Sequence, residues 1–466
     1  MIDVQEKTLQ SFLYKAKQVA NTNKSNQLIA WTEKLAPVKL INIFNEAKNK
    51  GKNRTFWQNS AADFSIVGIG TAHTIVAEED RFHTLEKEWT SLKESTLVHD
   101  PFQQVGTGLM ALGGMDFDPL QKKTALWAKY PTSELSIPEM VVVRHHDNYY
   151  VTYQWNVTVG TNVEDIINEQ QKLQAFLQPK EMKQYAGQKI LAQEEIAPEA
   201  WKQSVQKAVD AIKNDEAKKI VLAREMRLKL NQHANIAWMI QQLIDTQPNS
   251  YVFAFEQGDN CFIGATPERL VQVEKEALLS TCLAGTAPRG KTEAEDEQLA
   301  NDLWKDPKNR EEHDYVVQMI RGSIEDDCKD IKIPSEPRVL TLRNLHHLYT
   351  PVTATLKGNG SVLPIVEKLH PTPALGGLPN EAALKFIREE EVMDRGWYGA
   401  PVGWMDSNDN SEFAVAIRSG LVQGDEISLF AGCGVMRDSD PQMEYEETAV
   451  KFLPMYNILE DKDESY

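Results

Sequence analysis

Neighbouring β-rich segments, with helices only between the runs, limit how this chain can fold. The arms MVVVRHH and NYYVTYQW meet at Asp147-Asn148 with nothing but a turn between them. GLMALGGMDFD precedes them, so strands dominate from 107 to 156. Further strands are expected at 27–32, 63–70 and 219–228, four between 250 and 283, and others near 398–404, 411–419 and 426–433. Helical periodicity falls at 3–19, 78–97, 162–178, 197–213, 234–246, 308–326, 380–390 and 441–453. In the first helix, Val4, Leu9, Phe12, Leu13 and Ala16 share one side. Strands that follow one another directly pair antiparallel, whereas parallel strands need long crossovers. A doubly wound nucleotide fold is therefore disfavoured, and no strand–GxGxxG–helix or GxxxxGK[ST] segment is present. No repeat of solenoid period occurs. The polar stretch 179–195 is the best candidate for a boundary or connector.

With 466 residues, the chain has room for two or three domain-sized units or one large body. Its 50 Lys+Arg against 68 Asp+Glu give a net charge of −18. An acidic whole argues against nucleic acid as a partner but not against a small anion, because local charge can oppose the total. Cys261, Cys282, Cys328 and Cys433 are scattered, without a C-x-x-C pair, as reduced intracellular thiols would be. The first residues lack a signal-peptide core and no apolar run is long enough for a membrane span, so the cytoplasm is expected. The acidic tail LEDKDESY is expected to fray.

Three local patterns could carry chemistry. In the last helix, Asp440 can cap the start, Pro441 suits the first turn and Pro454 can end it. Glu444, Glu447 and Lys451 share one face, while Tyr445, Ala449 and Phe452 form an apolar stripe and Glu446 points elsewhere. Two carboxylates one turn apart can hold a hard divalent ion, or can form a solvated, salt-bridged face. In the helix from about 308, Glu312 heads a stripe continued by Val316 and Ile320, which holds it near the buried side. It could serve a metal or simply the helix N-terminus. In KKIVLARE, Lys218 and Lys219 face opposite sides of a strand, so one of them faces whatever covers it. A desolvated lysine can act as a base; a strand-end lysine can also reach back to water. GATPERL, LAGTAPRG and AGCGVM read as turns whose amides and hydroxyls could hold a carboxylate.

Taken together and in order, KKIVLAR, GATPERL, LAGTAPRG, KNREEH, LHPTPALGGLP, DRGWYGAPVGW, EFAVAIRS and AGCGVMRDSDPQMEYEETAVK resemble the chorismate-utilizing enzymes. That family includes isochorismate synthase, salicylate synthase, anthranilate synthase component I and aminodeoxychorismate synthase. The match spans roughly 200–455; before 195 it is loose, chiefly GLMALGGMDFD followed by Trp127. The resemblance implies an α+β fold: a large sandwich of two antiparallel sheets face to face, with outer helices. Residues 1–195 would belong to the same sandwich, with the chorismate-binding catalytic region at 196–466.

The resemblance also narrows the activity. Water-adding members carry lysine where ammonia-using members usually have glutamine, and here it is Lys219. Ala284 stands where aminodeoxychorismate synthases have a nucleophilic lysine, and no Leu-Leu-Glu-Ser block is found. What remains is Mg²⁺-dependent isochorismate formation from chorismate, nearest the menaquinone-type members. The alternatives are salicylate synthase and a siderophore-type isochorismate synthase. No glutamine amidotransferase subunit, nucleic acid or membrane is expected as a partner. By resemblance, Lys219 is the base that activates water for C2, and Glu268 is the acid for the departing C4 hydroxyl. Glu312 and Glu447 hold Mg²⁺ with Glu444 nearby. Arg418 and Tyr398 bind the enolpyruvyl carboxylate, aided by amides near Gly432. Lys451 faces the pocket, and Gly285, Thr286, His347 and Ala374 line it. The segments Gly399-Ala400-Pro401 and Met436-Arg437 depart from the commoner family pattern.

Overall fold

The strand Asn148–Val157 runs antiparallel to Met140–His145, with Val151 opposite Val142. The connecting turn is His146-Asp147, one residue earlier than expected, and His146 takes the left-handed φ of +53°. The structure, a computed structural model, describes residues 2–3, 8–48, 51–182, 187–342, 345–358 and 361–459. Val4 and all but the first residue of the acidic tail lie outside them.

Among the described residues, two sheets of 14 and 10 strands make up the body. Their ladders are antiparallel except where Leu97–His99 pairs in parallel with Ile2–Asp3 and with Gln27–Leu35. Strand adjacency implied the antiparallel pairing, and the family resemblance implied the two sheets. The inner faces meet through large side chains: Phe64 of the larger sheet lies 4.8 Å from Trp404 of the smaller, centroid to centroid. The Tyr251 hydroxyl crosses the same gap to donate to Glu412 Oε1 at 2.8 Å. Burying each such aromatic or aliphatic side chain contributes roughly 1.5–3 kcal/mol. Helices cover the outer faces, where Phe12 and Leu13 or Met239 and Phe452 pack with residues of the larger sheet such as Tyr153 and Leu429.

Both sheets draw strands from both parts of the chain. In the larger sheet the seam is the pairing of Arg54–Gln58 with Tyr251–Gln257, with Trp57 opposite Phe253. In the smaller, Met110–Met115 pairs with Pro401–Asp406. The stretch read as a connector contains the strand Ile190–Glu195, which edges the larger sheet against Lys219–Leu230. Its middle is exposed on both faces, so it lacks the apolar alternation that marks a half-buried strand.

Other boundaries shift for local reasons. The first helix is Leu9–Asn23, capped by Thr8, whose side chain accepts from Ser11 N. Helix Arg81–Ser95 is shorter than expected because Leu97–His99 joins the sheet. The helices Leu40–Ala47 and Glu293–Lys305 and the strands Arg54–Gln58 and His73–Val76 were not anticipated. A capping signature, Thr292 followed by Glu295, does mark one of these helices, with the Thr292 side chain accepting from Glu295 N. The last helix, Pro441–Tyr456, passes through Pro454 instead of ending there. Thr448, not Ala449, takes the inner position beside Phe452.

Candidate active site

The strand Lys219–Leu230 turns Lys219 inward and Lys218 outward. Lys219 is 7% exposed, whereas the Lys218 ammonium lies 5.8 Å from the Tyr315 ring centroid at the surface. Space for Lys219 comes from Gly434 on the neighbouring strand, where a Cβ would stand 2.7 Å from the lysine Cε. AGCGVM is thus the end of the strand Glu426–Val435, not a turn. Its glycines allow close approach rather than chain reversal. Lys219 Nζ donates to Glu312 Oε1. Glu312 sits in helix Pro307–Ile324, capped by Asp306 through Asn309 N at 3.0 Å. Val316 and Ile320 anchor that face in the core, so the stripe read from the sequence carries Glu312 to the lysine.

Glu268 occupies the turn between strands Asn260–Thr266 and Arg269–Glu274. Its amide donates to Thr266 Oγ1 at 3.2 Å and its carbonyl accepts from Val415 N at 3.0 Å. Burial pushes the carboxyl up to about 7, against the pull of Lys219 and Arg418. It is therefore a carboxyl able to keep its proton near neutrality. Glu268 lines a cavity together with Ala374, Tyr398, Arg418, Gly432 and Lys451. Gly434 lines it too, which places the Lys219 stem directly behind that wall.

Arg418 has a left-handed φ of +52°. A non-glycine residue in that region costs on the order of 1–3 kcal/mol and tends to mark a functional position. Among the described residues its guanidinium makes one long hydrogen bond, 3.5 Å to Lys451 O, which leaves donors for an anion. Lys451 Nζ donates to Gly432 O at 2.9 Å and to Glu447 Oε1 at 2.6 Å. The Tyr398 hydroxyl is pushed upward by burial and so remains a donor. Cationic and neutral donors thus gather at one wall of an acidic protein.

The three candidate metal carboxylates lie beside Lys219, Lys451 and Cys433 but are not gathered into one cluster. Glu312 is held by Lys219 and Glu447 by Lys451. Ser439 Oγ donates to Glu444 Oε1 at 2.6 Å. Glu444 Oε2 is buried with no hydrogen-bond partner among the described residues. Burial raises the Glu444 pKa, Ser439 opposes the rise and Glu447 adds to it. Among the described residues, no three His, Cys, Asp or Glu side chains are arranged to hold a metal.

Gly285, Thr286 and His347 stand on adjacent strands beside this cavity rather than among its lining residues. Gly285, at φ +81°, makes the bulge between Ala284 and Thr286. Thr286 and His347 are then opposite one another, with Oγ1 and Nδ1 3.0 Å apart. Burial, then Arg418 and Lys451, drive the His347 pKa down to about 3, so the ring is neutral. Its Nε2 is buried without a partner among the described residues. Sequence reasoning assigned no role to Glu391 or Arg395, which stand four apart in and just before the DRGWY block. Arg395 also lines the cavity.

Comparison with known proteins identifies the family. The family model described as "Chorismate binding enzyme" matches residues 12–460. The chain is 36% identical over 454 residues to isochorismate synthase MenF of Bacillus subtilis, covering 96% of each. It is 31% identical to the salicylate biosynthesis isochorismate synthase of Pseudomonas aeruginosa, covering 93% of this chain and 90% of that one. Among solved structures, it superposes on MenF, the menaquinone-specific isochorismate synthase from Escherichia coli, with a TM-score of 0.80 at 23% identity. That match covers 96% of this chain and 100% of the other. Anthranilate synthase component I from Streptococcus pneumoniae has the same fold, with a TM-score of 0.71 at 22% identity over 84% of this chain and 92% of that one. Continuous agreement along nearly the whole chain places the protein in the chorismate-binding enzyme family.

Proposed function

We propose that the protein is an isochorismate synthase acting in menaquinone biosynthesis: water adds at C2 of chorismate while the C4 hydroxyl leaves. The observation that carries this reading is the pairing of a buried lysine with a carboxyl held near neutrality within its electrostatic reach. Lys219, as the base, takes a proton from water as the new C–O bond forms, and Glu268 gives its proton to the departing hydroxyl, which leaves as water. The ring double bonds shift to compensate, so the reaction needs no oxidant. Arg418 and Tyr398 receive the enolpyruvyl carboxylate, with the Gly432 backbone and Lys451 beside them. Ala374 lines the wall around the ring, and Gly285, Thr286 and neutral His347 stand on the strands beside it.

Glu312, Glu447 and Glu444 are the residues that would hold Mg²⁺, with Glu312 and Glu447 giving up their lysine partners to the ion. All are hard oxygen donors, and Glu444 offers an oxygen with no partner among the described residues. Bound there, the ion would neutralise the ring carboxylate and orient the ring. All the assigned groups fall within 196–466, while residues 1–195 complete the same sandwich. No helix among the described residues is long and apolar enough to cross a membrane. We place the enzyme in the cytoplasm, acting without a glutamine amidotransferase subunit because its nucleophile is water.

Incubation with chorismate and Mg²⁺ tests the reading. Isochorismate should form without pyruvate; salicylate and pyruvate appearing with no added lyase would favour a salicylate synthase instead.

A further inference from the structure

The strand that carries Lys219 is fully paired on one side and interrupted on the other. Residues Ile220–Lys229 pair without a break with Glu426–Val435. On the opposite side, Gly377–Leu378 pairs only with Lys219 and Ile220, and Val221 N donates to Gly376 O at 3.1 Å. The edge strand Ile190–Glu195 takes over from Met226, and Ile196 N donates to Glu225 O at 3.1 Å. Between these two strands the Val221 carbonyl and both backbone groups of Ala223 have no strand to meet among the described residues.

Side chains fill the gap. Arg395 Nη2 donates to Val221 O at 2.8 Å, and Ala223 N donates to Glu391 Oε2 at 2.7 Å. Trp201 Nε1 donates to Ala223 O at 2.9 Å. The two charged residues clasp one another, Nε to Oε1 at 2.7 Å and Nη2 to Oε2 at 2.6 Å. Nη1 reaches the Leu375 carbonyl at 3.0 Å, beside cavity residue Ala374. The guanidinium lies 4.1 Å from the Phe117 ring centroid. Both side chains are almost wholly buried, at 4% and 1% exposure.

We propose that Glu391 and Arg395 are positioning residues: a side-chain splice in the sheet that fixes the Lys219 strand against the Ala374–Leu375 wall. The proposal rests on the function assigned above and adds to it a reason why a buried ion pair sits in the cavity wall. Arg395 is not a second receiver for a substrate carboxylate. Its charge is neutralised by Glu391, and its Nε and Nη2 hydrogens are all engaged, whereas Arg418 has donors to spare. A rigid planar fork is required, because a lysine cannot reach Glu391, Val221 O and Leu375 O at once.

The test uses the full-length protein and its Arg395→Lys and Glu391→Gln variants. Thermal melting, amide hydrogen exchange at Val221–Ala223, and kcat and KM for chorismate at saturating Mg²⁺ are measured. In Arg395→Lys, cooperative melting should persist, exchange at Ala223 should speed up, and kcat should fall about tenfold or more with KM within about twofold. Glu391→Gln keeps an acceptor for Ala223 N–H and should lose less activity than Glu391→Ala. A raised KM at unchanged kcat would overturn the proposal by making Arg395 a substrate ligand. Unchanged kcat in a folded Arg395→Lys protein would overturn it as well. So would failure of both Arg395→Lys and Glu391→Gln to fold, which would make the pair a stability element only. Should wild-type protein leave chorismate untouched, the assigned function falls, while exchange at Ala223 still reports on the splice.

Discussion

Gly434 leaves open the space through which Lys219 reaches Glu312: a Cβ there would stand 2.7 Å from the lysine Cε. The neighbouring atom belongs to a side chain, so the backbone can stay in place while Lys219 is displaced. Gly434→Ala should therefore fold, cost about 1 kcal/mol of stability, and lower kcat by on the order of tenfold or more. Steady-state kinetics beside a denaturant melt would check this. Wild-type turnover in the alanine variant would show that the lysine's path is not constrained by that strand.

The acid should be visible in the pH profile. Burial holds Glu268 protonated up to about pH 7, so kcat should fall as pH rises through about 7. Glu268→Gln should be nearly inactive throughout.

The same shift predicts a stability difference of defined sign. The ordinary carboxyl pKa of 4.5 is raised to about 7 on folding, so the native state binds the extra proton. Stability therefore falls as pH rises from about 4.5 to about 7, by about 3 kcal/mol in all. Glu268→Gln removes this dependence. Relative to wild type it should be more stable at pH 8 than at pH 4.5, as read from denaturant titrations at both pH values.

Much of the site was legible because it lies on regular elements. The helical period placed Glu444, Glu447 and Lys451 on one face, and the strand period required Lys218 and Lys219 to part. Alternation and period also gave most strands and helices, and the adjacency of strands gave their antiparallel pairing. What the sequence could not show depends on the far partner. Glycine at 434 reads as a turn until Lys219 is seen lying against it. Ile190–Glu195 reads as a connector because an edge strand wet on both faces carries no alternating pattern. The lysine partner of Glu312 emerges only when the elements assemble, and so does the splice made by Glu391 and Arg395.

Metal dependence has its own test. The Glu447 side chain is about half exposed, so Glu447→Ala should melt like wild type yet lose Mg²⁺-dependent turnover. Full wild-type activity in EDTA would remove the metal from the mechanism.

The central step is the addition of water at C2 by a buried lysine and a buried carboxylic acid. Turnover of chorismate in ¹⁸O-labelled water with Mg²⁺, followed by mass spectrometry, measures this directly. The expected product is isochorismate with one heavy oxygen at C2, its formation lost in both Lys219→Ala and Glu268→Gln. Unlabelled isochorismate, or undiminished turnover in either variant, would contradict it.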